Sequence, residues 1–128
     1  NPSLVEVARQ VAPGAVFTPV SSACQLSGQF DVVLLVEKLQ WVADPLRELD
    51  CIGRLLKPGG RLYVAQPNVD SMPGYLAILS AIGAQQVYTW KEVENLLTLR
   101  FRLEKRLIKT MPFYGAIYVK PHSAEVRR

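Results

Sequence analysis

Phe30-Asp31-Val32-Val33-Leu34-Leu35-Val36 is the stretch on which the fold of this chain turns. Its β-branched, almost unbroken apolar character predicts a central strand of a parallel sheet, covered on both faces. Asp44-Pro45 comes next, with Asp44 as N-cap and Pro45 at the first helical position, where the missing N–H is no loss. Leu46, Leu49, Ile52, Leu55 and Leu56 recur at helical spacing and predict a buried stripe. Lys57-Pro58-Gly59-Gly60 stops that helix: Pro58 fixes φ, and Gly59 can take the positive φ that a type II turn demands. Arg61-Leu62-Tyr63-Val64-Ala65-Gln66 then reads as a second strand, ended by Pro67 and parallel to the first.

Working outward, Ser3 and Glu6 have capping-box spacing ahead of a helix carrying Leu4, Val5, Ala8 and Val11, and Pro13-Gly14 ends it. Residues 15–18 form a short apolar run that predicts another strand, and residues 21–29 a loop with a helical turn. Beyond Pro67, residues 67–74 read as a loop, residues 75–82 as a short helix closed by Gly83, and Thr89 with Glu92 as a second capping box. Trp90, Val93, Leu96 and Leu97 form the buried side of that last helix. Residues 101–110 alternate, with Phe101, Leu103 and Leu107 opposite Arg102, Glu104 and Arg106, as in a strand near a sheet edge. A turn at residues 111–115 returns the chain as a hairpin partner, Ala116-Ile117-Tyr118-Val119, and the polar tail from Lys120 is expected to fray. Helices alternating with strands predict an α/β layered fold, with one domain over residues 1–120 and a tail over 121–128.

Composition narrows the function classes. The chain has 128 residues, 49% of them hydrophobic and 20% charged, enough for a packed core and against wholesale disorder. No apolar run reaches the roughly 18–20 residues that span a bilayer, and the pattern of a secretory leader does not open the chain. The net charge of +4 is uneven: residues 1–99 carry seven basic against nine acidic groups, residues 100–128 eight against two. A basic cluster, Arg100, Arg102, Lys105, Arg106 and Lys109, is either a face that attracts anions or the solvated side of an edge strand, where positive charge discourages edge-to-edge pairing. No aromatic residues interleave it at stacking spacing, which argues against a nucleic-acid platform. Cys24 and Cys51 lack a C-x-x-C spacing, so a disulfide is not expected and the cytoplasm is the default compartment; with His122 the only histidine, neither is a zinc site.

The FDVV strand, the Asp-Pro helix start and the segment Arg54-Leu55-Leu56-Lys57-Pro58-Gly59-Gly60-Arg61-Leu62 together resemble the class I methyltransferases that use S-adenosylmethionine (SAM), of the type 11-like group. The likeness runs over essentially the whole chain, and the LLKPGG segment between helix and strand is its most specific part. It implies a Rossmann-like sheet, mostly parallel, with a C-terminal antiparallel hairpin. It also implies an N-terminal truncation, since the family's GxGxG strand-loop and the second strand with its ribose-gripping acid should precede residue 1. Those two strands normally lie between the family's third strand, here residues 15–18, and the FDVV strand.

The same resemblance places the site. Ser22, Ala23 and Cys24 stand where the family contacts adenine, with Ser22 in place of the usual acid; the alternative is a plain loop. Val36 and Glu37 end the FDVV strand, at the side of an open α/β sheet where ligands sit. Glu37 is the candidate general base, against the plainer role of an exposed loop carboxylate. Gln40, Trp41, Pro67, Asn68 and Tyr114 are candidates for the acceptor side, although Trp41 and Tyr114 could equally anchor the core. No Ser-His-Asp or Cys-His set is needed, because methyl transfer is an in-line displacement that depends on near-attack geometry. The expected activity is SAM-dependent methylation of a small molecule; the alternative is a degenerate scaffold or interaction domain without SAM. A homodimer through a sheet edge left open by the missing strands is a further expectation.

Overall fold

The computed structural model describes residues 2–68, 73–109 and 113–122. Its elements in chain order are α1 (Pro2–Val11), β1 (Phe30–Val36), α2 (Pro45–Leu55), β2 (Leu56–Pro67), α3 (Pro73–Ala81), α4 (Trp90–Leu97), β3 (Arg102–Ile108) and β4 (Phe113–Val119). Short 3-10 turns lie at Ala23–Gln25 and Leu39–Trp41. The strands make one sheet in the order β1-β2-β4-β3. The β1–β2 pair is parallel, with Val33 opposite Leu62 and Leu35 opposite Val64, as the two sequence stretches require. Both pairs involving β4 are antiparallel, so the described sheet is mixed rather than mostly parallel.

Local chemistry explains the crossover. The Asp44 carboxylate accepts from the Arg47 amide at 3.2 Å, and Pro45 occupies the first turn of α2. At the other end, β2 begins at once, and the KPGG segment runs within it as a bulge: Phe30 faces Leu56, but Val32 already faces Arg61. Gly59 takes φ +80°, and a Cβ on Gly60 would meet the Lys57 carbonyl oxygen at 2.8 Å. Thr89 and Glu92 form the capping box of α4 as the spacing predicts. Ser3 and Glu6, by contrast, lie inside α1, which already starts at Pro2.

Register assigns the two faces. Val33 and Leu35, Leu62, Val64 and Gln66, and Tyr118, Ala116 and Tyr114 sit opposite one another and share one face. Helices α2 and α4 cover it through Leu49, Ile52, Val93 and Leu97, and these side chains make the core. The opposite face carries Val32, Leu34, Val36 and Tyr63, and it is open: Leu34 is 68% exposed.

Several expectations are therefore corrected. β1 is covered on one face only and forms the rim of the sheet, because among the described residues β2 alone pairs with it. Residues 15–18 form no strand; they have no ladder to join, since β1 makes no such pair. The tail is anchored as far as Pro121: Lys120 exchanges backbone bonds with Gly59 and Gly60, its ammonium donates to the Leu56 carbonyl at 2.8 Å, and Pro121 is buried. The rest of the tail (123–128), parts of the expected loop at 67–74 (69–72) and of the turn at 111–115 (111–112) lie outside the described residues. Finally, Cys24 and Cys51 are joined in a disulfide. Sequence spacing carried no sign of it, since the pairing arises only when the 3-10 turn folds back against α2.

Candidate functional site

The C-terminal tip of β1 is shaped by three features. Glu37, the next residue, adopts φ +49°, a left-handed conformation uncommon for a residue with a side chain. Its amide is held by the Ala65 carbonyl at 2.7 Å, which fixes the turn to the neighbouring strand. The buried Gln66 side chain then accepts from the Lys38 and Leu39 amides at 3.0 and 3.1 Å and donates to the Gln40 side chain at 2.8 Å. Gln40 in turn accepts the Gln85 and Gln86 amides on its own carbonyl. The chain leaving β1 is thus bound from below, and the exposed Glu37 carboxylate is presented at the strand tip.

Beside that tip lies a cavity of about 380 Å³ between β1 and the 22–25 turn, with α2 as its floor. Ser22, Ala23 and Leu26 form one wall, Val33 to Val36 the other, and Lys38 and Glu48 supply polar groups. Glu48 is 5% exposed, and its carboxylate accepts from the Ser22 hydroxyl at 2.7 Å and the Ala23 amide at 2.8 Å. The Ser22 oxygen accepts in turn from the Cys24 amide at 3.1 Å. A second cleft of about 230 Å³ adjoins the first at Ser22 and Glu48 and is lined by Trp41, Asp44 and Arg47.

A third cluster stands near the end of β2. Asn68 donates to the Lys109 carbonyl at 2.8 Å and accepts from the Trp90 amide at 3.3 Å. Tyr114 stacks on Trp90 with ring centroids 6.4 Å apart, while Arg106 and Lys109 lie over the indole. The Tyr114 hydroxyl bonds Tyr118 at 2.7 Å and donates to Glu94 at 2.9 Å. Glu94 also accepts from two guanidinium nitrogens of Arg106, one at each carboxylate oxygen. Its Arg106 bonds, aided by Tyr114, hold the Glu94 carboxyl below the usual range. Burial first, and the hydrogen bond to Tyr118 second, push the Tyr114 phenol well up; burial pushes Tyr118 up to about 12.

The structure thus distributes the sequence candidates unevenly. Ser22, Ala23 and Val36 line the larger cavity together, with Glu37 one residue beyond it. Cys24 is drawn into the disulfide instead. Trp41 lies in the second cleft, 40% exposed. Gln40, Asn68 and Tyr114 are buried and bonded within the protein, and Pro67 is buried opposite Phe113. Sequence reasoning missed Glu48 and Gln66. Glu48 did carry a signal: it stands four and seven residues before Ile52 and Leu55, a charge on the buried arc of an otherwise apolar stripe.

Against known proteins, the family model described as a methyltransferase domain matches residues 2–113. Over 64 residues, half of the chain, it is 42% identical to a ubiquinone biosynthesis O-methyltransferase of Caulobacter vibrioides; that match covers 24% of the enzyme. The corresponding enzyme of Pseudomonas paraeruginosa is 34% identical over 64 residues, 28% of its length. The chain therefore matches only about a quarter of each of these relatives. Among solved structures, the N-methyltransferase NodS of Bradyrhizobium japonicum in complex with S-adenosylhomocysteine aligns with TM-score 0.71 and 19% identity, over 95% of this chain and 64% of that one. A SAM-dependent methyltransferase of Thermotoga maritima aligns with TM-score 0.69 and 22% identity, over 92% and 69%. These likenesses extend the Rossmann-like assignment to the whole sheet.

Proposed function

Since this chain belongs to the methyltransferase-domain family, with its model matched over residues 2–113, we propose that it is part of a SAM-dependent enzyme that methylates a small molecule and binds the adenosyl group in the cavity beside β1. The observation that carries the proposal is the position of that cavity: it opens at the C-terminal tip of a parallel strand, between the 22–25 turn and residues 33–36.

The residues present fit the adenine end of such a ligand. Val20, Leu26 and Leu34 offer apolar walls to a flat ring, while the Ser22 and Ala23 amides are already given to Gln25 and Glu48. They do not fit the ribose end: Glu48, the one carboxylate in the lining, has both oxygens committed to the 22–25 turn. A glycine-rich loop and a ribose-gripping acid would come from chain beyond these residues. When bound, the cofactor supplies an electrophilic methyl on a sulfonium. The chain's own contribution is to orient. The turn after β1 is pinned through Gln66 and Ala65, which supports a role for the exposed Glu37 carboxylate as the general base that takes the acceptor's proton. Trp41 offers an apolar surface to the acceptor from the adjoining cleft. Gln40, Pro67, Asn68 and Tyr114, committed inside the protein, set the shape of that side.

Should the edge take no cofactor, we propose that a second copy pairs along this same outer edge of β1 in place of the ligand. None of the described helices is long and apolar enough to cross a membrane. Calorimetric titration with S-adenosylhomocysteine tests the cofactor proposal: the adenine end alone should give weak but saturable binding by the chain, and micromolar binding would exclude the scaffold role. Heatless titration at high protein concentration would reject it and leave the scaffold role.

A further inference from the structure

The 22–25 turn is fastened to α2 twice. Glu48 and Cys51 stand one helical turn apart on α2 and so share a face. Glu48 takes the Ser22 hydroxyl and the Ala23 amide; Cys51 is bonded to Cys24. Within the turn, the Gln25 side-chain carbonyl accepts from the Ser21 and Ser22 amides at 2.8 and 3.2 Å. Three successive residues are thus drawn toward one helix face by two hydrogen bonds and one disulfide.

Glu48 is an expensive way to hold a loop. A nearly buried carboxylate without a basic partner among the described ion pairs loses much of its hydration. Two charge-assisted hydrogen bonds to a single dipeptide offset that loss, and they fix the dipeptide in place more tightly than neutral bonds would. The dipeptide is also a wall of the larger cavity, facing residues 33–36. Its seat on α2 therefore sets the width of the slot.

From this arrangement we infer that Glu48 is a positioning residue for the adenosyl ligand, acting through Ser22 and Ala23, and that the Cys24–Cys51 bond makes the same seat sensitive to dithiol reductants. The inference rests on the cofactor proposal above and goes beyond it. In the redox step, a dithiol gives two electrons and two protons, the Cys24–Cys51 bond breaks to two thiols, and the reductant closes to its own disulfide. The turn then keeps its Glu48 tie to α2 but loses the covalent one, and the slot loosens.

The experiment compares the wild-type chain with Glu48→Gln, Glu48→Ala and Cys51→Ser, each with and without dithiothreitol. Two readouts are taken: the dissociation constant for S-adenosylhomocysteine, and amide hydrogen exchange. Glu48→Ala is expected to weaken binding about tenfold, a loss of roughly 1.4 kcal/mol, and to speed exchange at Ala23 and Cys24 while β2 and β4 stay protected. Glu48→Gln keeps one acceptor for the Ala23 amide and is expected to recover most of the loss. Reduced wild type should bind several-fold more weakly than oxidised, and Cys51→Ser should match it and ignore the reductant. Binding unchanged both on reduction and in the Glu48 variants overturns the inference and leaves the cofactor proposal standing. So does a loss of protection that spreads evenly through the sheet, which marks Glu48 as merely structural. Should Glu48→Ala fail to fold, the reduction arm and faster exchange of the Ala23 amide in Glu48→Gln, where a neutral acceptor replaces the charge, decide alone. A wild-type chain that binds no S-adenosylhomocysteine overturns both.

Discussion

Gly60 and Glu94 show how single residues hold this domain. The Gly60 backbone is packed so closely that a Cβ would lie 2.8 Å from the Lys57 oxygen and 3.1 Å from the Asp31 oxygen. Gly60→Ala must move main chain on two sides, and we expect it to destabilise by about 1–3 kcal/mol, read as a lower denaturant midpoint at unchanged slope. Glu94 works through charge. Its folded-state pKa is depressed by Arg106 and Tyr114, so its stabilising contribution is complete above the unfolded carboxylate value, about 4.3, and is lost as pH falls through the folded one. Glu94→Gln is therefore expected to lower stability at neutral pH and to flatten the acid limb of a melting-temperature profile. A variant with the wild-type acid limb would show that Glu94 titrates normally.

Elements differ in how far their own residues announce them. α2 could be read almost to its ends, because Asp44, Pro45 and the leucine spacing are local signals acting on local structure. The KPGG segment was legible as a positive-φ bend but not as a bulge inside β2, since the bulge exists only in the pairing of Phe30 and Val32 with their partners. Residues 15–18 failed for the converse reason: apolar, β-branched residues make a strand only beside another strand. Non-local pairing also hid the disulfide and the Glu48 clasp. The turn after β1 depends in the same way on the distant Gln66 side chain. Gln66→Leu removes the acceptor shared by two amides, and each buried group left unpaired costs about 1–3 kcal/mol. Fast exchange of the Lys38 and Leu39 amides, with β2 still protected, is the expected outcome; slow exchange there would mean that another group holds the turn.

At the scale of the molecule, the sheet has one packed face and one open face. Leu62→Ala, on the packed face, is expected to cost about 2–5 kcal/mol. Leu34→Lys, on the open one, should stay within about 0.5 kcal/mol of wild type. Equal losses would mean that both faces are covered in solution. The same openness bears on association: if a second copy pairs at β1, light scattering should give a mass that rises with concentration, and Leu34→Lys should reduce it. The α/β class and the parallel β1–β2 pair were legible from the sequence; the one-sided burial of β1 was not, because an apolar run records which surfaces a strand could cover and not which it does. The central claim concerns the cavity between that strand and the 22–25 turn. Its most direct test is a backbone amide chemical-shift map of the chain titrated with S-adenosylhomocysteine. Shifts should concentrate at Ser22, Ala23, Val36 and Glu37; a saturating titration that moves none of these, or that moves only β3 and β4, would contradict it.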